Sequence, residues 1–449
     1  MKYIIICLSA LWLADLVTAA SPAETIHRVS TGYAEETELH FGGYARGSAY
    51  LGTGDIDYPA VFAEFCARPK LSYQGAYLLA DIRIRSGWFL DEEFTHLQVK
   101  EAYAGYSGEK LQLSMGNQIV NWGRTDGFNP TNNLNSSDYF FLTSDPDDQL
   151  LPSFMLRGKY LMLSGVDLEL IAAPLYSPSV YRFDLFDMGD NVRFTDPVLP
   201  ATSYENSSLA ARLNFEFPGI GFSVSWFRGY DPFHAIDIDT VDWAQGAPEI
   251  VYTAKPYRKN TIGVDFVLAP GGWIFRGEAA YNLVEDYEIN LHIPNPDLQY
   301  VLAVERSLAG FIFLGQYIGS YVSDYTSIDE PVMPQSADPF AQFAYANEMI
   351  YYESLIFNRK LFNQQDEFNH AVSASISKSF FYNILSLELS GYYNINTEEY
   401  FVRSKIDWNI ADNLTATVGG SFMKGPEKTP FHYSSTVMNG VFLELKAGF

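Results

Sequence analysis

The last nine residues of the chain alternate strictly. Val441, Leu443, Leu445, Ala447 and Phe449 share one parity, and Phe442, Glu444, Lys446 and Gly448 the other. The pattern recurs upstream. Leu78, Ala80, Ile82 and Ile84 alternate with Leu79, Asp81, Arg83 and Arg85, and Leu111, Leu113 and Met115 with Gln112, Ser114 and Gly116. Leu414, Ala416, Val418 and Phe422 stand against Thr415, Thr417 and Ser421 in the same way. Successive side chains of a strand point to opposite faces, so a period of two marks strands with one apolar and one polar face. The apolar face is either the core of a soluble sandwich or the outside of a barrel immersed in lipid.

The N-terminus favours the second. Lys2 precedes an apolar run from Tyr3 to Leu13, and Val17-Thr18-Ala19 supplies small residues for cleavage. The run is shorter than the roughly 20 residues a membrane-spanning helix needs. Residues 1–20 are therefore expected to be a signal peptide cleaved near Ala19 or Ala20, and 21–36 a periplasmic N-terminal segment. Of Cys7 and Cys66 only the second would survive cleavage, and one thiol cannot form an internal disulfide. No later stretch has the 18 or so consecutive apolar residues of a spanning helix. An exported chain without such helices can still enter a membrane as a closed barrel, in which every backbone polar group is paired.

Strands are predicted at 37–52, 57–71, 75–88, 95–107, 110–121, 153–164, 166–173, 207–217 and 220–230. The series continues at 257–269, 272–283, 298–308, 311–324, 366–379, 384–395, 399–410, 413–423 and 438–449. The expected fold is all-β: a transmembrane antiparallel barrel over 37–449 of about 18 strands (16–18), the even number of bacterial barrels. The connections test the count. Every second one is tight, near 72–74, 107–109, 164–165, 218–221, 270–272, 308–310, 381–383 and 411–413. The long ones, 122–152, 174–206, 231–256, 284–297, 325–365 and 424–437, all fall on the opposite rim. Short periplasmic turns and long extracellular loops are the outer-membrane arrangement. Tyr50, Tyr103, Tyr106, Phe227, Tyr230, Tyr281, Tyr317, Tyr321, Tyr392 and Tyr393 lie near strand ends and are expected in aromatic girdles.

Parity also sorts the charges, because a charge facing lipid near the midplane costs roughly 2–4 kcal/mol. The polar face receives Arg46, Arg68, Lys70, Arg83, Arg85, Arg157, Lys159, Arg212, Arg276 and Arg403, which are the predicted pore-lining cations. Lys100, Lys405 and Lys446 share that face with Glu64, Asp81, Asp167, Glu169, Glu278, Glu388, Asp407 and Glu444. Arg68, Lys70, Arg83 and Arg85, on adjacent strands, are the best candidates for an uncompensated basic patch. Cross-strand pairing with carboxylates is the alternative. The formal net charge of −25 argues against nucleic acid or an anionic lipid surface as a partner, but not against a membrane, where what matters is where the charges sit. The surplus acid is expected in the outer loops, as in Asp145-Pro146-Asp147-Asp148, Asp184 to Asp190, Asp237 to Asp242, Glu285 to Glu288 and Asp329-Glu330. Its plain role is a solvated rim. Divalent-cation binding is the sharper one, but no ordered calcium-loop spacing occurs, so neither metal nor cofactor is assigned.

The loop 122–152 is far longer than an ordinary connection. It carries Phe128, Leu134, Tyr139, Phe140, Phe141, Leu142, Leu150 and Leu151, which must pack on something. In a barrel the free surface is the inner wall. The loop is therefore expected to fold inward and narrow the channel, with Trp122, Arg124, Asp126, Asn129 and Asp138 at the constriction. Trp122 itself lies where a girdle tryptophan would.

The wording GNQIVNWGRTDGFNP…DPDDQLLPSFMLRGKY resembles the alginate-export-like and related channel families, in Gly116, Gln118, Trp122, Gly123, Asp126, Asn129, Pro130, Asp138, Asp148 and Arg157. HFGGYARGSAY resembles the first strand of sugar-specific porins. The final Phe449 resembles the end signal of bacterial outer-membrane barrels. These resemblances cover about a tenth of the chain. They imply a barrel of about 18 strands with a polar lumen and carry over no substrate.

The leading expectation is an outer-membrane channel for passive diffusion of small polar or anionic solutes, saccharides included, that meets outer-membrane lipid and forms either a monomer or a homo-oligomer. The alternatives are a structural or adhesive barrel and an outer-membrane hydrolase. Against the hydrolase, the chain has no G-x-S-x-G elbow, and His27, His40, His96, His234, His292, His370 and His432 form no evident pair with an acid. Too little chain precedes the first strand for the plug of an energised receptor.

Overall fold

The computed structural model describes residues 37–53, 59–90, 92–244, 246–335 and 338–449. The expected signal peptide and the segment 21–36 lie outside them. The strands, numbered in chain order, are β1 (Glu38–Gly52), β2 (Ala60–Tyr73), β3 (Ala76–Phe89), β4 (Glu92–Ser107), β5 (Leu111–Gln118), β6 (Ser153–Leu163) and β7 (Val166–Ala173). They continue with β8 (Val192–Thr195), β9 (Ser208–Phe217), β10 (Ile220–Tyr230), β11 (Ala235–Asp242), β12 (Glu249–Lys255), β13 (Arg258–Leu268) and β14 (Trp273–Val284). The last seven are β15 (Asp297–Leu308), β16 (Phe311–Val322), β17 (Phe368–Phe380), β18 (Leu385–Asn394), β19 (Glu399–Ala411), β20 (Leu414–Lys424) and β21 (Gly440–Gly448).

Eighteen of them form one antiparallel sheet. β1 pairs with β21 from Tyr44↔Gly448 to Gly52↔Gly440, so the sheet closes on itself and leaves no edge. The seam is finished by Phe449, whose backbone N–H donates to Gly43 O and whose carbonyl accepts from Gly43 N, each at 3.0 Å. Its ring stacks on Phe65 at 5.7 Å. Gly43 permits this close approach, because a Cβ there would meet Cys66 O at 2.1 Å.

The alternation fixes which face is which. Leu78, Ile82 and Ile84, like Leu113, Met115, Val418 and Leu443, are exposed large hydrophobics, whereas Asp81, Arg83 and Arg85 are buried. A sheet with apolar side chains outside and charges inside is inverted relative to a soluble protein. Only lipid around it makes that arrangement favourable.

The strand count, the parity of the loops and the strand limits agree with the sequence expectation to within about three residues. The loops differ, because they carry structure of their own. β8, β11 and β12 form a separate three-stranded sheet within 174–206 and 231–256. A helix, Pro339–Leu361, occupies 325–365, and a shorter one, Pro430–Met438, the last loop. Both begin with proline after a capping side chain. Asp338 accepts from Phe340 N, and Thr429 accepts from His432 N. These elements share an aromatic core: Phe140, Phe183, Phe186, Ile236, Tyr252, Phe357 and Val437 come from five different loops.

Not every aromatic near a strand end belongs to a girdle. Tyr106 and Tyr393 are exposed on the outside as expected, but Tyr50 and Phe227 are buried. Tyr50 faces inward, stacks on Phe442 at 5.9 Å and donates to Met438 O. Period two gives opposite fates to neighbours, so nearness to an end does not decide the face.

Adjacent residues of β18 make the inversion testable. Leu389 is exposed outward at mid-strand, and Ser390 faces in. Leu389→Arg should lower the unfolding free energy in a bilayer by about 2–4 kcal/mol, and Ser390→Arg by far less. Denaturant titration of the liposome-embedded protein reads the difference.

Candidate functional site: the long loop and the wall it contacts

The segment 119–152 leaves the barrel after Gln118 and makes contact with strands around most of the circumference. Its approach begins at Trp122, expected at the constriction from a place where a girdle tryptophan would lie, and buried in the structure. The indole packs with Val120, Leu134, Met155, Ile171, Ala173, Ala210 and Phe227. Its Nε1 donates to Glu169 at 3.3 Å, and the Arg212 guanidinium lies 5.9 Å from the ring centre. Amphipathic indoles suit interfaces, but this one has an apolar wall and an acceptor inside.

The backbone then meets the wall further round, at β13 and β14. Gly123, at φ +102°, lies so close to the Glu278 carboxylate of β14 that a Cβ would sit 2.6 Å from it. Thr125 N and Thr125 Oγ1 donate to Glu278 Oε1 at 2.7 and 2.8 Å, and Thr131 Oγ1 donates to Oε2 at 2.9 Å. Arg124 pairs with Asp265 of β13, and with Glu216 of β9 at 2.7 Å. Asp126 pairs with Arg276 at 3.2 Å, and its carbonyl accepts from Gln316 of β16 at 3.0 Å. Phe128 stacks on Tyr392 of β18 at 5.2 Å. Asn129 closes a turn with the Thr125 hydroxyl. Asp138 Oδ1 accepts from Phe140 N at 3.1 Å. Burial is the largest influence on the Asp138 carboxyl and raises its pKa against its backbone donors.

The return limb is held by cations. Asp145 caps the short helical turn Pro146–Gln149, accepting from Asp147 N at 3.2 Å. That turn aims Asp148 at β1 and β3. Asp148 accepts from Arg46 Nη1 at 2.6 Å and from Arg83 Nη1 at 2.7 Å. Lys100 Nζ donates to the Asp148 carbonyl at 2.8 Å and also to Leu150 O. Arg403 Nη2 donates to the carbonyls of Thr143 and Ser144 at 3.0 and 2.7 Å. Phe141 and Leu142 pack on Tyr50, Ala60, Phe62 and Phe442, and the Arg85 guanidinium lies 4.1 Å from the Phe141 ring centre.

The uncompensated basic patch does not form. Arg83 and Arg68 share Asp81, each through a 2.8 Å contact. Arg85 and Arg46 share Glu64. Lys70 is exposed and lies over the Tyr77 ring. Buried guanidiniums need partners, and acids on facing strands meet that need. Four of the other predicted lining cations are likewise matched, Arg157 with Glu169, Lys159 with Asp167, Arg212 with Asp265 and Arg276 with Glu305, whereas Arg403 donates to backbone carbonyls of the loop. Asp148, expected on a solvated rim, instead turns its carboxylate to two buried arginines and is itself only partly exposed. Burial alone would raise its carboxyl, but Arg46 and Arg83 outweigh burial and hold it far below the usual carboxylate range.

Between loop and wall an opening of about 350 Å³ remains. Asp126, Gly127, Phe128, Ser144 and Pro146 bound it on the loop side. The strands contribute Gln316, Ser373, Ser375, Glu388, Ser390, Tyr392, Arg403 and Lys405. It is polar and carries charge of both signs, with Lys405 also paired to Asp407 at 3.2 Å. Of this lining only Arg403 and Asp126 were singled out as site residues from sequence. Parity placed Glu388 and Lys405 inside, but nothing local in the sequence assigns β16 to β19 to the side the loop leaves free.

A closed antiparallel sheet of 18 strands with its apolar face outward defines the class of outer-membrane-type barrels. The particular likenesses agree. A family model described as "Protein of unknown function (DUF1302)" matches residues 33–184. Among solved structures, Pseudomonas aeruginosa OpdK is similar at 8% identity with TM-score 0.56, over 92% of this chain and 99% of that one. OccK3 (OpdO) of the same organism is similar at 12% identity with TM-score 0.52, over 92% and 96%. A structure of OpdK with vanillate is similar at 8% identity with TM-score 0.55, over 93% and 100%. At these identities the shared property is the fold. No curated protein sequence matches the chain.

The anchor predicts a pH dependence. A carboxyl whose folded pKa is depressed contributes stability that is complete above its unfolded value of about 4. That stability is lost progressively as pH falls toward the folded value. Hydrogen exchange of 140–150 should therefore stay protected from neutral pH down to about 5 and fail in stronger acid. Asp148→Asn takes one carboxylate from Arg46 and Arg83, which keep Glu64 and Asp81, and should cost the anchor about 1–3 kcal/mol, read as faster exchange of the same amides at neutral pH.

Proposed function

We propose that the protein is an outer-membrane channel for passive diffusion of small polar or anionic solutes, saccharides among them, with 122–152 folded inward as its constriction. The observation that carries this reading is the opening between Phe128 and Ser144 on the loop and Ser375, Ser390 and Lys405 on the wall. A loop tied to β1, β3, β9, β13, β14, β16 and β19 by hydrogen bonds and ion pairs supports a constriction held in one position. The likeness in fold to OpdK and OccK3 supports the barrel. Export through a signal peptide at 1–20, followed by a periplasmic segment 21–36, belongs to the same proposal.

In this reading Arg403 and Lys405 give the opening its basic side, and Asp126 and Glu388 its acidic one. Arg46, Arg83 and Arg85 act behind the surface by fixing the loop. Arg68, Lys70, Arg157, Lys159, Arg212 and Arg276 line the wall in ion pairs or over a ring. The predicted constriction residues divide likewise: Asp126 borders the opening, and Trp122, Arg124, Asn129 and Asp138 hold its frame.

Planar-bilayer recording under a salt gradient tests the channel. Stepwise openings are expected, with Lys405→Glu shifting the reversal potential toward cation selectivity. Current block by added saccharides or by vanillate, the compound named with one matched barrel, would identify a solute class. A folded protein that never conducts would contradict the reading.

A further inference from the structure

We infer that the outer wall at the periplasmic ends of β14 to β18 is a binding site for an anionic phospholipid, with the phosphate group on Arg306 and Lys378 and an acyl chain in the trough above them. The site is separate from the lumen and does not depend on solute passage. Arg306 lies on the lipid-facing parity of β15, with Leu302, Val304 and Leu308, all exposed large hydrophobics. Its register partners are Trp273 and Phe313, which are also exposed on the outside. Lys378 has the outward parity of Val372 and Ile376 and is opposite Leu387.

Among the described residues neither cation has a carboxylate partner. The Arg306 guanidinium lies 4.4 Å from the centre of the Trp273 ring. The Lys378 ammonium lies 4.0 Å from the centre of Phe311 and 5.1 Å from that of Phe380, and donates to Ala309 O at 3.3 Å. That carbonyl belongs to the β15–β16 turn, so the ammonium reaches toward the strand that carries Arg306. Each cation is two residues from the end of its strand, about 7 Å of rise, which is headgroup depth. Inside the barrel nearly every arginine found an acid. Leaving these two unpaired on the lipid side calls for an anion from the lipid.

The second observation is the trough. A groove of about 820 Å³ in the same wall is bounded by Arg306 and Trp273 and lined by Val304, Phe313, Gly315, Ala374, Ile376 and Leu389. Small residues deepen it: a Cβ on Gly315 would meet nothing nearer than Val304 Cγ1 at 4.0 Å. A charged head at headgroup depth beside an apolar trough has the two-part chemistry of a phospholipid. The positive charge selects an anionic one.

Native mass spectrometry of the folded barrel in neutral detergent, titrated with phosphatidylglycerol or with phosphatidylcholine of the same chains, tests this. Wild-type protein should bind phosphatidylglycerol more tightly, with a preference that shrinks as salt rises. Each cation is worth about fivefold, so R306A/K378A should weaken phosphatidylglycerol roughly thirtyfold and remove the preference. Gly315→Leu should weaken both lipids by filling the trough. Equal binding of the two lipids by wild-type protein would overturn the proposal without any variant. So would unchanged phosphatidylglycerol affinity in R306A/K378A.

Discussion

The structure turns on one buried ion cluster. Arg46, Arg83, Glu64, Asp81, Asp148 and Glu444 meet where β1, β2, β3 and β21 face the returning limb of the long loop. Five of the six are wall residues, and Asp148 alone comes from the loop. Removing these charges from water is costly, and their mutual attraction offsets that cost only with close, hydrogen-bonded geometry. Without Asp148, Arg46 and Arg83 would each lose a close carboxylate acceptor on the loop side. The loop and the wall therefore require each other, and this requirement makes the loop part of the barrel.

Around that anchor the other contacts set direction. Glu278 gathers the N–H and hydroxyl donors of the outgoing limb, and Trp122 fills an apolar recess on the inner side of β6 to β10. Arg403 holds the far side through backbone carbonyls, which leaves its charge next to the opening. The aromatic core shared by five loops then braces the outer structure from above. The bilayer-facing wall follows a different rule. There the charges are few and sit near strand ends, where lipid headgroups rather than acids can meet them.

Much of the barrel was legible in the sequence, because period two and turn spacing are local signals. The 18 strands, their closure and the rim that bears the long loops follow from residues within about ten positions of one another. The aromatic residues show the limit. Tyr50 and Phe227 lie near strand ends, yet they point inward, and Trp122 lies beyond a strand end in a recess built from β6, β7, β9 and β10. The helix Pro339–Leu361 was also missed, although Asp338-Pro339 at its start and Arg359-Lys360 at its end are ordinary helix signals. Charge pairing was the largest gap. Asp148 is 102 residues from Arg46 and 65 from Arg83, and no local pattern records such partners.

In the proposed function 122–152 stands in the conducting path and solutes pass between it and β16 to β19. Cysteine at Ser375, on the wall of the opening, in a Cys66→Ser background, tests it most directly. A charged methanethiosulfonate added during single-channel recording should reduce the unit current in one step per channel, and a reductant should restore it. Complete labelling of Ser375→Cys with no change in unit current would place the path elsewhere and contradict the account.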